Sequence, residues 1–549
     1  MPDQQPTVGD LVAAFLHAGG VGAAFGVISI HNMPILDAIG RAGKIRFVPS
    51  RGEAGAVNMA DAYARAGNRL GVCFTSTGTG AGNGAGALVE TDTAGTPLLH
   101  ITGQIDTPYL DKGMAYIHEA KAQLKMLEAV SKAAFRISRP EEALDVLRIA
   151  AQMALTAPNG PVSVEIPADV QAAAVDIPED VSPPDAPLIR PDPADLDELA
   201  ATVRAAKRPL LWLGGGARHA GDAVARLVDK GIGVVTSVNG RGIVGEDHPL
   251  SLGAFNMTPE SEAFYETLDA VVVAGSRLRG NETRNYTLPF PKTLVRIDAD
   301  PASKNRCFRS SQFICADTAL VLDGLAERLT DGPKIDNSYA RDLAEAKAAA
   351  EERMRDELGP YADICAALQS VTPANAPWVR DITLSNSTWG NRLFRIHGPH
   401  DGIHALGGGI GQGVPMGVGA AVAAPGRKSV LLTGDGGLML CVSELATAVQ
   451  EKADLAIILM NDGGYGVIKN IQNAKFGGRH YFADMRNPDF AQLCAAVNLP
   501  HRLVKDTGSF AEAAAEAIAV DGPAVVEVDM LSVGPFKKPF GGPPPPTAD

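Results

Sequence analysis

The stretch SVLLTGDGGLMLCVSELATAVQEKADLAIILMNDGGYGVIKN (429–470) leaves this chain few folds to choose from. It reads as an apolar strand over Val430–Leu432, a glycine turn around one carboxylate (Gly434, Asp435, Gly436, Gly437), an amphipathic helix, a second apolar strand over Leu455–Met460, and a second polar glycine turn from Asn461 to Gly466. A strand, helix and strand in this order form a right-handed parallel crossover, which sets the C-terminal ends of the two strands side by side. Asp435 and Asp462 are therefore expected to meet in space. Two carboxylates among flexible turns, with free backbone N–H groups at a helix start, suit a hard divalent cation that also holds a diphosphate, and magnesium is the natural candidate. Every doubly wound fold has glycine turns after its strands, so the turns alone leave a purely structural role open.

The rest of the chain alternates in the same way and divides into three blocks. The first, 1–185, reads as helix 8–18, strand 24–27, helix 34–41, strand 45–48, helix 53–66 and strand 70–75, then a glycine-rich turn and another helix. Short apolar strands between amphipathic helices are what a parallel sheet covered on both faces requires. Residues 176–195, rich in proline and acid, read as a linker. The second block, 190–335, has strands at 209–213, 234–236, 270–274 and 293–298 with a helix at 222–230. Residues 336–375 form an Ala/Glu/Lys/Arg-rich helical connection to the third block, 375–540, which carries the stretch described first. A proline-rich tail, 541–549, is expected to lie extended or disordered. The expected architecture is α/β, with three doubly wound parallel-sheet domains.

Composition sets the outer limits. A chain of 549 residues has room for roughly three or four domains, and a net charge of −14 argues against nucleic acid as a main partner. Cys73, Cys307, Cys315, Cys365, Cys441 and Cys494 are scattered without CxxC spacing, as in reduced, mostly buried thiols of a cytoplasmic protein. Residues 11–30 lack formal charge, yet four glycines and His17 interrupt them and no basic residue precedes them, which speaks against a membrane span or a secretory signal.

A second signature, RGEAGAVNMADAYARAGNRLGVCFTSTGTGAGNGAGALVETDTAGTPLLHITGQI (51–105), lies in the first block. Together with the GDG and Asn-Asp-Gly turns it resembles the thiamine diphosphate enzymes grouped with acetolactate synthase, benzoylformate decarboxylase and benzaldehyde lyase, over nearly the whole chain. The resemblance implies a pyrimidine-binding first domain, a central Rossmann-like domain and a diphosphate-binding third domain. It implies that Asp435, Asp462 and the Gly464 carbonyl ligate magnesium, and that Gly434, Gly436, Gly437, Tyr465, Gly466 and Val467 line the diphosphate, with Asn386 and Ser387 of SNSTW as a further contact. Glu53 takes the place of the glutamate that bonds the pyrimidine ring nitrogen. Protonation there lets the exocyclic amine draw the proton from C2 and form the ylide, a carbon nucleophile no side chain provides. In LGGGIGQGVPMGVGAA (406–421), Ile410 falls where relatives wedge a large aliphatic residue under the bent cofactor, and Gly408 in the same loop is implied to contact the cofactor. Family members share their sites across a subunit boundary, which implies a homodimer and commonly a tetramer of two dimers.

The same resemblance places His31, His118 and Gln104 at the reactive end, where a histidine can shuttle protons near neutral pH. LGGGARHAG (213–221) in the second block is a weak dinucleotide turn with no acid at the ribose distance, so no flavin or other second cofactor is expected. Ile471 replaces the tryptophan that selects a 2-oxo acid acceptor in acetolactate synthases, and Ile468 stands where pyruvate decarboxylases carry a glutamate. The expected activity is a magnesium- and thiamine diphosphate-dependent carboligase or decarboxylase, working through an enamine on 2-oxo acids or aldehydes and forming acyloins. An acyloin lyase of the benzaldehyde lyase type is the closest alternative. A non-catalytic cofactor-binding paralogue and a nucleotide-dependent oxidoreductase are alternatives of other classes.

Overall fold

The computed structural model describes residues 5–542 and contains three sheets in which every pairing between named strands is parallel. The first has six strands, β1 (Ala23–Gly26), β2 (Arg46–Pro49), β3 (Gly71–Thr75), β4 (Leu98–Gln104), β5 (Ala133–Arg136) and β6 (Pro161–Pro167), in the order β2-β1-β3-β4-β6-β5. The second has β7 (Pro209–Leu213), β8 (Gly233–Thr236), β9 (Ala270–Ala274), β10 (Leu294–Ile297) and β11 (Gln312–Ile314), ordered β11-β10-β9-β7-β8. The third has β12 (Trp378–Arg380), β13 (Gly402–His404), β14 (Ser429–Gly434), β15 (Leu455–Asn461), β16 (His501–Val504) and β17 (Ala524–Asp529), ordered β13-β12-β14-β15-β17-β16. Every residue of β3, β4, β6, β7, β9 and β14 is buried, as strands covered by helices on both faces must be.

The first and third blocks pack through helices Glu53–Gly67 and Gly413–Ala423. Their backbones meet so closely that a Cβ on Gly419 would lie 2.1 Å from the Met59 carbonyl oxygen. Ala56, Met59, Ala60, Val414, Met416 and Val418 join one continuous core across this seam.

Three expectations need correction. The single helix between β14 and β15 is two, Asp435–Leu440 and Glu444–Gln450. The GTGAGN glycine turn is mostly the first turn of helix Thr79–Ala94, with only Gly78 outside it. The linker also ends earlier, because Asp192 accepts a bond from the Ala194 N–H and starts helix Pro193–Ala205. The strands at 312–314, 378–380 and 402–404 have three residues each, too few to show a period. Residues 534–538, just ahead of the tail, lie against the helical connection: Phe536 stacks on Tyr361 at 4.1 Å between ring centroids, and the Tyr361 hydroxyl donates to the Gly534 carbonyl at 2.6 Å, while Gly541 and Gly542 border Ala474 and Ile471 of the third block. The rest of the proline-rich tail falls outside the described residues. Among the described residues no helix is long and apolar enough to cross a membrane, and all six cysteines are free thiols.

Candidate active site

Strands β14 and β15 run in register, Gly434 opposite Met460, so the residues that follow them emerge together. The Asp462 N–H lies 3.4 Å from Asp435 Oδ1, as expected of a parallel crossover. Asp435 is 1% exposed. Burial and the charge of Asp435 push the Asp462 carboxyl up to about 7, with Lys469 pulling the other way. Asp462 Oδ1 is buried without a partner. A buried acid pair short of positive charge and holding an orphaned oxygen fits a hard cation. The turn is glycine for a steric reason: a Cβ on Gly466 would sit 1.8 Å from Asp462 Oδ2.

Several residues without a motif complete this half. Asn487 Nδ2 donates to Asp435 Oδ2 at 2.6 Å, while its own Oδ1 is buried and unpartnered. Its segment clips the second turn, with Tyr465 N–H donating to Ala483 O at 2.9 Å and Met485 N–H to Gly463 O at 3.2 Å. Lys469 Nζ donates to Gly463 O at 3.2 Å and pairs with Asp484 at 2.9 Å. Asp381, fully buried just after β12, accepts from the amides of Gly413 at 2.9 Å, Gly411 at 3.2 Å and Ile382 at 2.7 Å. Burial nevertheless holds Asp381 up at about 6. The loop it pins contains Gly408 and Ile410, and Ile410 is 39% exposed rather than part of the core. On the loop's other side the Gly407 N–H donates to both oxygens of Glu90, on helix Thr79–Ala94, at 2.8 Å. Asn386 and Ser387 sit in a short π-helical turn, Asn386–Gly390, that follows Thr383, whose hydroxyl lies against Gly434. The Asn386 amide turns inward, 3.3 Å from His404 Nδ1, and its Oδ1 is orphaned. Val467 packs against the third-block core.

The first block brings its predicted residues to the C-terminal ends of β1 to β4, where open α/β sheets place ligands. His31 and His118 stack edge to face with ring centroids 5.0 Å apart. His31 is 5% exposed with Nδ1 unpartnered, and burial followed by His118 lowers its pKa. The His118 carbonyl covers Gly78, and two residues on, Gly80 borders the Glu53 carboxylate, which also accepts from Asn83 Nδ2 at 3.2 Å. Gln104 belongs to a layer behind them. Its Oε1 lies 3.0 Å from the Thr77 hydroxyl and 2.8 Å from its neighbour's N–H, and its Nε2 donates to buried Glu165 at 3.2 Å. Gln123 shares Glu165 at 2.9 Å and accepts from the Gly78 N–H at 2.6 Å, so this layer sets the Gly78 turn. Glu444 of the third block, 2% exposed, accepts from the Arg51 N–H at 3.1 Å ahead of the Glu53 helix, an anion where the helix dipole favours one. Among the described residues no hydrogen bond or ion pair joins Glu53 to Asp435 or Asp462. Both halves leave aliphatic side chains bare: Ile28, Ile30, Met114 and Ile117 on the first block, and Ile410, Leu440 and Ile468 on the third.

Comparison with known proteins agrees with this arrangement. Residues 6–126 match the N-terminal TPP binding domain of thiamine pyrophosphate enzymes, 196–325 their central domain and 384–528 their C-terminal TPP binding domain. The chain is 31% identical over 522 residues to a probable 2-ketoarginine decarboxylase, AruI, of Pseudomonas aeruginosa, covering 92% of this chain and 90% of that protein. It is 28% identical over 552 residues to a probable acetolactate synthase large subunit of Methanocaldococcus jannaschii, covering 96% and 92%. It is 27% identical over 533 residues to the acetolactate synthase isozyme 1 large subunit of Escherichia coli, covering 95% and 93%. The chain belongs to the thiamine pyrophosphate enzymes and is a thiamine diphosphate-dependent enzyme that forms or cleaves carbon–carbon bonds.

Proposed function

We propose that the protein is a magnesium- and thiamine diphosphate-dependent carboligase or decarboxylase of 2-oxo acids or aldehydes, active as a homodimer that shares its sites and assembles further to a tetramer. The observation that carries this reading is the meeting of Asp435 and Asp462 at the ends of adjacent strands, with an orphaned carboxylate oxygen between glycine turns. Asp435, Asp462 and the Gly464 carbonyl would hold the ion. Gly434, Gly436, Gly437, Tyr465, Gly466 and Val467 would line the diphosphate, with Asn386 and Ser387 alongside, and Gly408 and Ile410 would support the cofactor from beneath. The bound cofactor supplies a carbon nucleophile and an electron sink that no side chain offers.

The chain's own residues have the remaining tasks. Glu53 of a second copy would hold a proton at the pyrimidine ring nitrogen, and the bare aliphatic surfaces on the two halves support such a meeting of two copies. Joining them buries Ile28, Ile30, Ile410, Leu440 and Ile468, worth about 25 cal/mol per Å2 of apolar surface, and keeps water from the reacting carbon. His31, with its free Nδ1 beside His118, is placed to pass a proton to or from a substrate oxygen. That free nitrogen also supports a second reading, cleavage of acyloins, in which the same proton leaves a hydroxyl. Gln104 would act from behind by fixing the Gly78 turn rather than by touching substrate.

The test is to load the protein with magnesium and cofactor and to supply pyruvate, benzoylformate and benzoin in parallel, measuring CO2 and aldehyde. CO2 release from a 2-oxo acid supports the leading reading, and consumption of benzoin alone supports the lyase. A Glu53→Gln protein that folds and dimerises yet keeps full turnover would refute the role of Glu53.

A further inference from the structure

A line of polar side chains crosses the third sheet and ends on Asp435. Strand β17 lies between β15 and β16. Its Val525 is opposite His501 and its Glu527 opposite both Leu459 and Leu503, while Asp529 is opposite Asn461, so His501, Glu527 and Asn461 share one face. Helix Phe490–Ala496, which starts shortly after Asn487, covers that face, with Phe490 and Cys494 in one core with Val525. The four polar groups then bond in sequence. His501 Nε2 lies 2.8 Å from Glu527 Oε2, and Asn461 Nδ2 donates to Glu527 Oε1 at 2.7 Å. Asn487 Nδ2 lies 3.4 Å from Asn461 Oδ1 and donates to Asp435 Oδ2 at 2.6 Å. The Gly463 N–H also donates to Asn461 Oδ1, at 3.2 Å.

Packing gives no reason for a carboxylate in this line. Glu527 stands in the otherwise apolar run AVVEV and is 7% exposed, where an aliphatic side chain would avoid the cost of burying charge. What an aliphatic side chain cannot do is fix the sense of an amide. A carboxylate carries only lone pairs, so Asn461 must turn its NH2 group to Glu527 and its oxygen away. That oxygen then meets two donors, the Gly463 N–H and Asn487 Nδ2. Reversed, Asn461 would set its NH2 group against both. Asn487 shows the same constraint, because its Oδ1 is left buried without a partner among the described residues while its Nδ2 serves two acceptors. An orphaned buried oxygen costs stability, and an amide keeps that orientation only where its neighbours demand a donor.

We propose that Glu527 is a positioning residue for the metal turns. It sets the donor and acceptor ends of Asn461 and Asn487 so that an N–H group faces Asp435, and His501 holds the carboxylate from strand β16. Asp435 Oδ2 is thereby tied to Asn487, while Oδ1 faces the Asp462 turn. The inference rests on the reading of Asp435 and Asp462 as metal ligands.

The experiment is titration of Mn2+, a paramagnetic stand-in for magnesium, into the full chain with thiamine diphosphate present, with free ion read by electron paramagnetic resonance. Urea unfolding of the same variants without metal is the second measurement. Glu527→Leu should weaken Mn2+ binding by about tenfold. Glu527→Gln should stay within about twofold of native, because its amide oxygen still accepts from Asn461 and its NH2 group meets the other tautomer of His501. Glu527 and Asn487 do their work in series, so Glu527→Leu combined with Asn487→Ala should also be about tenfold weaker, not the roughly hundredfold of two independent losses. Full additivity would overturn the proposal. So would a Glu527→Gln protein as weak as Glu527→Leu, which would make charge rather than amide sense the cause. A Glu527→Leu protein that loses stability to urea yet binds Mn2+ like the native chain has lost only a structural group, and that too overturns it. If Glu527→Leu does not fold, Glu527→Leu with His501→Leu, which leaves no histidine facing an apolar side chain, takes its place in the same cycle. A native protein that takes up no Mn2+ sinks the metal reading and this inference with it, whereas native uptake with unchanged variants sinks this inference alone.

Discussion

Asp462→Asn tests the acid pair through stability rather than turnover. In the metal-free protein Asp462 titrates at about 7, against 3.8 for an ordinary aspartate, because it is buried beside Asp435. Between those values the unfolded chain has lost the proton and the folded protein keeps it, so the folded state binds more protons and stability falls as pH rises. A tenfold difference in proton affinity is worth about 1.4 kcal/mol, so the full cost reaches about 4 kcal/mol above pH 7 and fades to nothing below about pH 4. Asparagine cannot ionise and escapes that cost. Metal-free Asp462→Asn should therefore exceed the native protein in stability by about 4 kcal/mol near pH 8 and by about 1 to 2 kcal/mol near pH 5.

Urea unfolding in a chelator, followed by tryptophan fluorescence, reads this directly, since Trp378 and Trp389 are buried in the same block as the acid pair. Magnesium should reverse the order near pH 8, because the ion turns the repelled carboxylate into a ligand that asparagine replaces only weakly. A stability difference that does not change with pH, or a variant less stable than the native protein near pH 8 without metal, would refute the reasoning.

Asn487→Ala removes the 2.6 Å bond to Asp435 and should raise the magnesium concentration needed for cofactor binding by about tenfold, measured by fluorescence quenching, with little change once magnesium saturates. Gly466→Ala puts a methyl 1.8 Å from Asp462 Oδ2, so the metal-free protein should keep its circular dichroism while magnesium-dependent cofactor binding is lost; native affinity would show that the turn relaxes freely. Asp381→Ala leaves the amides of Ile382, Gly411 and Gly413 without their acceptor, and should cost about 3 kcal/mol or more and speed hydrogen exchange across 407–413.

The groups these predictions probe differ in how plainly the sequence announced them. Asp435 and Asp462 were legible because the crossover that joins them is local and because the close approach at Gly466, where a Cβ would meet Asp462 Oδ2 at 1.8 Å, favours glycine and leaves a visible mark. The same holds for the strands themselves, where long apolar runs such as β14 and β15 stand out and three-residue strands such as β12 do not. Asp381, Glu444 and Asn487 gave no such sign. Each acts on a group far along the chain, Asp381 on the Gly413 amide, Glu444 on the Arg51 amide and Asn487 on the Asp435 carboxylate. An acid that accepts from backbone amides reads in sequence like one that faces water, and only the packing of helix Gly413–Ala423 on Glu53–Gly67 tells them apart.

On the proposed reading of a site shared between subunits, that packing would also hold each half in shape until it meets the other. Glu444 reaches across the seam to the start of the Glu53 helix, and Glu90 reaches back to the loop that presents Ile410, so each half is braced by the other block of its own chain. The braces are buried carboxylates on backbone amides, and burial raises both above the ordinary glutamate value. The folded chain therefore holds those protons more tightly than the unfolded one, and protonation favours the closed seam. The seam should therefore lose stability as pH rises from the ordinary glutamate value to the raised one, and cofactor retention in the loaded enzyme should fall over the same range as the seam. If retention persisted after hydrogen exchange showed the seam between Met59 and Gly419 open, the braces would hold the fold alone and the site would owe its shape to something else.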